Sequence, residues 1–245
     1  MDSAEFLDQV RELRGQGRSP KEIARTLGVS PSVVAPLIRA VAAENRATAP
    51  APEIVGCWVN VGWSVGLSID EGRGWVDEAA SEDGTAGIVS VLVARRHRWD
   101  KVAVCGYLVD VYCLGVKKAL GPDIMDELAL LRFLPDYYSA YSSGWQEAPI
   151  ELAQDIVFGA IEYARGLGFE PAADFAQTAD HLGTWEGPSA ITFGKDGQPF
   201  YISGPHDNPR SVVKTLERTV GIGDFHYIVT VPERPFGLTG HAWGG

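Results

Sequence analysis

Residues 19–40 read SPKEIARTLGVSPSVVAPLIRA. Ser19-Pro20 followed by Glu22 predicts a helix start, because a serine N-cap, a proline in the first turn and a glutamate at the third helical position form a capping box. Gly28 ends this helix, and Ser30-Pro31 repeats the start signal for a second helix. The stretch therefore predicts two helices joined by a tight turn.

Apolar residues in this stretch and in residues 4–15 recur every three or four positions, which is the spacing of helices that share a core. Glycines at 15 and 17 end the earlier segment. The sequence thus predicts a small bundle of three helices. Its predicted core residues are Phe6, Leu7, Val10, Leu13, Ile23, Ala24, Leu27, Val29, Val34 and Leu37.

The pattern KEIAxxLGVS within this stretch resembles the helix-turn-helix of resolvases, sigma-factor-like domains and many bacterial regulators. The resemblance covers residues 19–41, with residues 4–15 as a supporting helix. It implies a fold in which the second helix reads the major groove of DNA. The reading positions depart from the family, since residues 31–36 are PSVVAP where arginine, threonine, tyrosine or lysine is usual, and Pro36 is expected to kink the helix.

Few side chains in this region can contact DNA, because base reading needs hydrogen-bond donors and acceptors. The predicted DNA-contacting residues are Arg18, Lys21, Arg25, Ser30, Ser32 and Arg39. Two functions of this surface stay open besides an inert remnant. One is weak or moderately specific DNA binding supported by dimerisation, and the other is contact with a protein partner.

The charge of the chain is uneven. The net charge is −11 at pH 7, which argues against a generally basic nucleic-acid binder. Residues 1–50 carry seven Lys and Arg against six Asp and Glu, whereas the remaining 195 residues carry fourteen against twenty-six. Any electrostatic attraction to DNA is therefore expected in the N-terminal part.

Sequence signals of location point to the cytoplasm. No apolar run approaches the roughly 18 residues of a membrane span, and the N-terminus has no apolar signal-peptide region. Three cysteines without a CxxC pair favour a reduced protein. We expect a cytoplasmic chain without a membrane partner.

Composition predicts two domains of unequal size. Residues 45–53, NRATAPAPE, have the alanine and proline content of a semi-extended linker. The predicted plan is a helix-turn-helix domain at 1–44, the linker at 45–53, an α+β domain at 54–233 and a glycine-rich tail at 234–245. The predicted fold class is α+β, with β-hairpins packed on a long helix.

Beyond residue 54 the predicted elements are both strands and helices. Residues 87–94 and 101–114 are apolar and β-branched around the charged RRHRWD, which predicts a β-hairpin. The other predicted elements are a partly helical segment at 117–134, a helix at 148–167, a hairpin at 190–203, a short helix at 212–220 and a strand at 225–231. Residues 55–231 also resemble an uncharacterised bacterial domain, a resemblance that implies no activity.

Two features of this larger domain could carry chemistry. The tip of the predicted hairpin holds a basic cluster with a tryptophan that could grip phosphate and stack a base, or could be a solvated turn. Its residues are Arg95, Arg96, Arg98, Trp99 and Lys101. Asp110 lies in an apolar strand, where a carboxylate is costly unless it is paired or liganded.

Asp110 admits two interpretations. With Glu162, Asp207 or Asp174 it could form the carboxylate set of a metal-dependent nucleic-acid enzyme. It could instead be a structural residue bonded to backbone amides or to Lys117 or Lys118, which the sequence favours. His181, His206 and His226 lack metal-ligand spacing, and Cys105 and Cys113 are expected to be inert packing residues.

The sequence therefore favours a regulator or DNA-associated accessory factor over an enzyme. Its larger domain is expected to dimerise or to sense a signal, so the predicted partners are DNA, or a protein bound through the helix-turn-helix, and a second copy of the chain. No cofactor and no metal are expected. A metal-dependent nucleic-acid-processing enzyme and a protein-interaction module without DNA binding are the alternatives.

Overall fold

Helices come first along the chain and a sheet follows. The computed structural model describes residues 3–16, 18–48, 52–78 and 87–229. Two compact units divide the chain, Met1–Ala51 and Pro52–Gly245. The first is helical and the second contains a mostly antiparallel sheet with helices, so the prediction of an α+β fold is confirmed. Within the described ranges, no helix has the length and apolar character to cross a membrane.

Three helices form the smaller unit: α1 (Ser3–Gly15), α2 (Pro20–Thr26) and α3 (Pro31–Thr48). The predicted capping box is present at the start of α2. The backbone N–H of Glu22 donates to Ser19 Oγ at 3.4 Å, and the Ser19 N–H donates to the Glu22 carboxylate at 2.8 Å. Gly28 has φ +65°, the left-handed conformation that allows the tight turn before α3.

The predicted core of the smaller unit is confirmed. Four of the ten predicted residues are almost fully buried and Val41 joins them, and five more predicted residues, together with Ile38, are partly buried against this centre, whereas the predicted Phe6 is not in the cluster. The predicted linker is wrong over residues 45–48, which belong to α3. Ala and Glu are good helix formers, so the helix continues until the chain approaches Pro50. The buried residues are Val10, Ile23, Ala24, Val34 and Val41.

A five-stranded antiparallel sheet, in the order β5-β4-β3-β1-β6, is the centre of the larger unit. Two small sheets pair β2 with β7 and β8 with β9. The strands are β1 (Ile54–Asn60), β2 (Ser68–Ile69), β3 (Ile88–Arg96), β4 (Lys101–Asp110), β5 (Gly115–Asp126), β6 (Trp145–Glu147), β7 (Ile191–Thr192), β8 (Phe200–Ile202) and β9 (His226–Ile228). The helices are α4 (Glu127–Tyr137), α5 (Ile150–Gly166), α6 (Ala179–Leu182) and α7 (Pro209–Thr219), with short 3₁₀ helices at Glu71–Arg73 and Ala173–Gln177.

The β3–β4 hairpin is covered on both faces. Successive side chains of a strand point to opposite faces, so Val91 and Val93 face one way and Leu92 and Ala94 the other. The first pair packs in a core with α5 and the second in a core with α4. The predicted hairpin and the predicted helix at 148–167 are confirmed, except that the second strand ends at Asp110 instead of continuing to residue 114.

Residues 117–126 are a strand, although a partly helical segment is predicted from residue 117. They lie in β5, which pairs with β4 along its whole length, and only the later part of the predicted segment is helical, as α4. A long apolar neighbour with unpaired backbone groups outweighs the weak local preference of this sequence. Tertiary pairing therefore decides the conformation here.

The predicted hairpin at 190–203 is also wrong. Its turn is present, since Asp196 and Gly197 both have positive φ and Lys195 bridges Gln198. The strands that flank it leave for different sheets, because β7 pairs with β2 and β8 pairs in parallel with β9. Residues 230–233 of the predicted domain and the predicted tail at 234–245 lie outside the described residues.

Gly115 and Gly144 have similar backbone conformations but different surroundings, so comparing their alanine variants tests how closely β5 approaches α5. Gly115 (φ +68°) would place a Cβ 2.9 Å from the carbonyl oxygen of Ala160 and 2.9 Å from Ala164 Cβ, whereas a Cβ on Gly144 (φ +71°) would meet nothing within 4 Å. We expect Gly144→Ala to lower the free energy of unfolding by about 1–2 kcal/mol through backbone strain alone. Gly115→Ala should lose about 1–3 kcal/mol more through overpacking.

Urea unfolding of both variants measures this difference. Equal losses would show that β5 and α5 are not in close contact at Gly115.

Candidate nucleic-acid interface

All six predicted DNA-contacting side chains of the smaller unit are exposed. Lys21 and Arg25 are four residues apart on α2 and therefore lie on one side of it. Arg18 precedes Ser19, the N-cap of this helix. The Arg14 guanidinium donates to the backbone carbonyl of Arg18 at 2.9 Å. Three exposed cations therefore lie on or just before α2, with Lys21 in its first turn and Arg25 in its last, and Glu22 is held in the capping box between them.

The exposed face of α3 combines two polar groups with small apolar ones. Ser32, Ala35 and Arg39 share this face, because they are spaced three and four residues apart. Ser32 Oγ lies 2.7 Å from Ser30 Oγ, and Arg39 Nε donates to the Ala35 carbonyl at 3.4 Å. Helix α3 continues through Pro36, which has no N–H to donate to the carbonyl of Ser32. The face can approach a DNA backbone closely but offers few groups that read bases.

Arg95 is not available at the hairpin tip where the sequence places it. Only 6% of this residue is exposed, and its guanidinium donates to the carbonyls of His181 (2.5 Å), Pro52 (2.6 Å) and Leu182 (3.1 Å). The alternation of side chains along β3 directs Arg95 to the α5 side of the sheet, as it does Val93. Arg95 therefore has a structural role.

Two further cations of the predicted loop are paired with carboxylates. Arg96 contacts Glu127 at 2.5 Å and Glu53 at 3.7 Å, and Lys101 contacts Asp126 at 3.5 Å. These pairs are partly exposed and contribute little to stability, but they offset the positive charge. The predicted loop thus retains Arg98 and Trp99 as unpaired groups among the described residues.

Trp99 is the most exposed large hydrophobic side chain of the described residues. It is 91% exposed at the turn between β3 and β4, and its φ of +60° is rare for a bulky residue. An indole in this position presents an apolar face to any partner that approaches the hairpin tip. The tip therefore remains a candidate contact, built on one tryptophan and one arginine.

Asp110 is held by the backbone at the end of β4. Its Oδ1 accepts hydrogen bonds from the N–H groups of Tyr112 at 3.0 Å and Cys113 at 2.9 Å, and the residue is 3% exposed. Burial raises the pKa of Asp110 to about 6, although the nearby Lys117 ammonium and these amides oppose the shift. This geometry is that of a turn-capping carboxylate.

Asp207 shares the nearby Lys117 ammonium with Asp110, but Asp207 is the carboxylate that binds it directly. Lys117 Nζ lies 2.8 Å from both oxygens of Asp207, which also accepts from the Gly204 N–H and the Tyr201 hydroxyl. Glu162 is exposed on α5. In the part of the chain that the structure describes, no three His, Cys, Asp or Glu side chains are grouped to hold a metal ion. The pair of Lys117 with Asp207, 90 residues apart, has no signal in the sequence.

The cysteines are built into the core, whereas His181 is partly buried and His206 and His226 are exposed. All three cysteines are buried free thiols, and burial raises the pKa of both Cys57 and Cys105 to about 12. A thiol that stays protonated is a poor nucleophile. His181 contacts the Val93 carbonyl through Nε2 at 3.1 Å, and burial lowers its pKa. The three thiols and His181 therefore have a packing role and are not suited to act as nucleophiles or bases.

A polar cavity of about 260 Å³ opens in the larger unit beside α5. Asp155 in its wall is engaged, since its carboxylate accepts from Trp185 Nε1 and the Ala190 N–H, both at 2.7 Å. Gln154 donates to the carbonyls of Leu182 and Thr184. The lining residues are Arg73, Glu151, Gln154, Asp155, Thr184, Trp185 and Glu186.

Comparison with known proteins gave no match. No family model, no curated protein and no solved structure matches this chain. The resemblance of residues 19–41 to bacterial helix-turn-helix proteins stays a prediction.

Asp110 and Asp207 are expected to change the stability of the fold in opposite directions as the pH changes. Asp110 binds its proton more tightly in the folded chain, so its ionisation lowers stability as the pH rises from about 4 to about 6. Asp110→Asn keeps the Oδ1 acceptor without the charge. We expect this variant to be more stable than the wild type at pH about 7.5, by about 1–3 kcal/mol, with the difference vanishing towards pH about 4.

Asp207→Asn is the matched control. Burial acts to raise the pKa of Asp207, but the hydrogen bonds from Lys117 and Gly204 outweigh it and hold the pKa below its usual value. This variant should therefore be less stable than the wild type at neutral pH, and the deficit should shrink only in strong acid. Urea unfolding from neutral pH into strong acid measures both. Parallel pH profiles of Asp110→Asn and the wild type would contradict the assignment for Asp110.

Proposed function

We propose that this chain is a helix-turn-helix DNA-binding protein, acting as a transcriptional regulator or a DNA-associated accessory factor. Its smaller unit contacts DNA, and its larger unit dimerises or senses a signal. The observation that carries the proposal is the set of exposed cations Arg18, Lys21 and Arg25 on and just before α2, together with the exposed polar residues Ser32 and Arg39 of α3.

Phosphate contact is the contribution that this surface can supply. Lysine, arginine and serine side chains and helix N-termini are common donors to DNA phosphates, and such contacts fix orientation without reading sequence. Ser32 is the exposed group on the α3 face that can hydrogen-bond a base, and Val33 or Ala35 can touch a thymine methyl. We therefore infer weak or moderate sequence specificity, strengthened by dimerisation.

A protein-contact function is the second candidate, and the apolar groups of α3 favour it. Val33 is 47% exposed, and Ala35 and Pro36 beside it are exposed as well. A small apolar patch of this kind suits the core of a protein interface. The geometry of Asp110, with its oxygen engaged by two backbone amides, gives no support to a metal-dependent enzyme centred on that residue.

Removing the two cations of α2 tests the first candidate. We expect Lys21→Ala/Arg25→Ala to weaken binding to a duplex of random sequence by about tenfold or more at low salt, because two phosphate contacts are lost. The slope of log affinity against log salt should become shallower by about two. Fluorescence anisotropy at salt concentrations between about 50 and 200 mM measures both quantities.

Lys214→Ala serves as the control, because Lys214 is an exposed cation on α7 in the larger unit. Its affinity and salt slope should match those of the wild type. The proposal fails if the wild type shows no salt-dependent binding, or if the double variant binds as tightly as the wild type.

An added cation distinguishes the two candidate functions of the α3 face. If this face lies against DNA, Val33→Arg should bind the same duplex more tightly and steepen the salt slope by about one. The control is Val76→Arg, since Val76 is 69% exposed in the larger unit. An affinity equal to that of the Val76→Arg variant would exclude DNA contact at this face and leave the protein-contact function as the candidate.

A further inference from the structure

Helix α4 is apolar on two faces, and the larger unit covers only one of them. Leu130 and Leu134 are buried in the core against the sheet. Leu128 and Leu131, on a different side of the helix, are 58% and 63% exposed. A helix that is apolar around most of its circumference is normally buried on more than one side. The exposed leucines therefore indicate a missing neighbour.

The exposed groups follow the spacing of a helix-pairing seam. Leu128, Leu131 and Pro135 are separated by three and four residues, as are the a and d positions of a heptad. In that register Glu127 occupies a g position and Arg132 an e position, on opposite sides of the seam. Both side chains are exposed.

Charge complementarity identifies the neighbour as another α4. In a parallel pair of helices, e and g side chains of opposite charge meet across the seam. Glu127 of one helix would then face Arg132 of its mate, and symmetry repeats the contact. Arg132 makes no ion pair or hydrogen bond within the described ranges, although its charge helps to lower the pKa of Asp126, whereas Glu127 already binds Arg96. An unpaired cation beside exposed leucines suits a surface that pairs with its own copy.

We propose that two copies of this chain associate through α4, with Leu128, Leu131 and Pro135 packed against their equivalents about a two-fold axis. Such an interface uses the same patch on both subunits. The inference deepens the dimerisation role given to the larger unit above, and it rests on that part of the proposed function.

The size of the seam sets the strength of the association. An eleven-residue helix is about 16 Å long, so α4 alone buries less than the roughly 800 Å² per subunit of a standard stable interface. We therefore expect a weak, reversible dimer that dissociates on dilution. Two smaller units held together in this way would bind neighbouring DNA sites with a gain from effective concentration.

Sedimentation velocity of the full chain over a range of protein concentrations tests the proposal without DNA. We expect the wild type to shift from monomer to dimer as concentration rises. Leu131→Glu should raise the dissociation constant at least about tenfold, because dimerisation would bury an unpaired charge at the seam. Arg132→Glu should weaken association as well, through repulsion from Glu127 of the other copy.

Ile222→Glu is the matched control, since Ile222 is 87% exposed in a turn of the same unit. It should dimerise as the wild type does, and circular dichroism with urea unfolding should show all four proteins equally folded. A wild type that stays monomeric, or a Leu131→Glu variant that dimerises normally, would overturn the proposal. DNA binding of the smaller unit would remain untouched by either result, so the two proposals fail separately.

Discussion

The β3–β4 hairpin is apolar on both faces, and this constraint determines the rest of the larger unit. A sheet whose two faces are both apolar must be covered twice, or it exposes a surface prone to aggregation. Helix α5 covers one face and α4 the other. The close approach of β5 to α5, the capping of the β4 turn by Asp110 and the clamp around Arg95 all serve this arrangement of two covers on one sheet.

The two units divide the electrostatic character of the protein. The larger unit is acidic, and four of its cations, Arg96, Lys101, Lys117 and Arg165, are paired with carboxylates among the described residues. The smaller unit leaves the cations around α2 exposed. A protein of net negative charge can still approach DNA if its cations are concentrated on one compact unit, because screening limits each charge to a range of about 10 Å. This separation supports a DNA-contacting role for the smaller unit in spite of the overall charge.

Local signals in the sequence predicted local structure well. The capping box at Ser19 and Glu22 and the helical spacing of residues 4–41 predicted the three helices and their core, because each depends on residues close together in the chain. The β5 strand was not predicted, since its conformation depends on pairing with β4. The burial of Arg95 was also missed, because its partners lie 43 to 87 residues away. In the candidate site, the predicted DNA-contacting cations of α2 are exposed, as a DNA contact requires. The exposed leucines of α4 could not be predicted, because the sequence does not show which side of this apolar helix packs on the sheet.

Arg95 joins parts of the chain that lie far apart in the sequence. One planar guanidinium binds a carbonyl at Pro52, where the larger unit begins, and two more at His181 and Leu182, at the end of α6. In polymer terms it closes two loops at once, and the entropy of that closure is lost before any of its hydrogen bonds can form. A lysine could not replace it, because one ammonium on a flexible stem lacks the fixed fork of donors that holds three separate oxygens. We therefore expect the clamp to form late in folding, when the sheet and the segments around it are already in place.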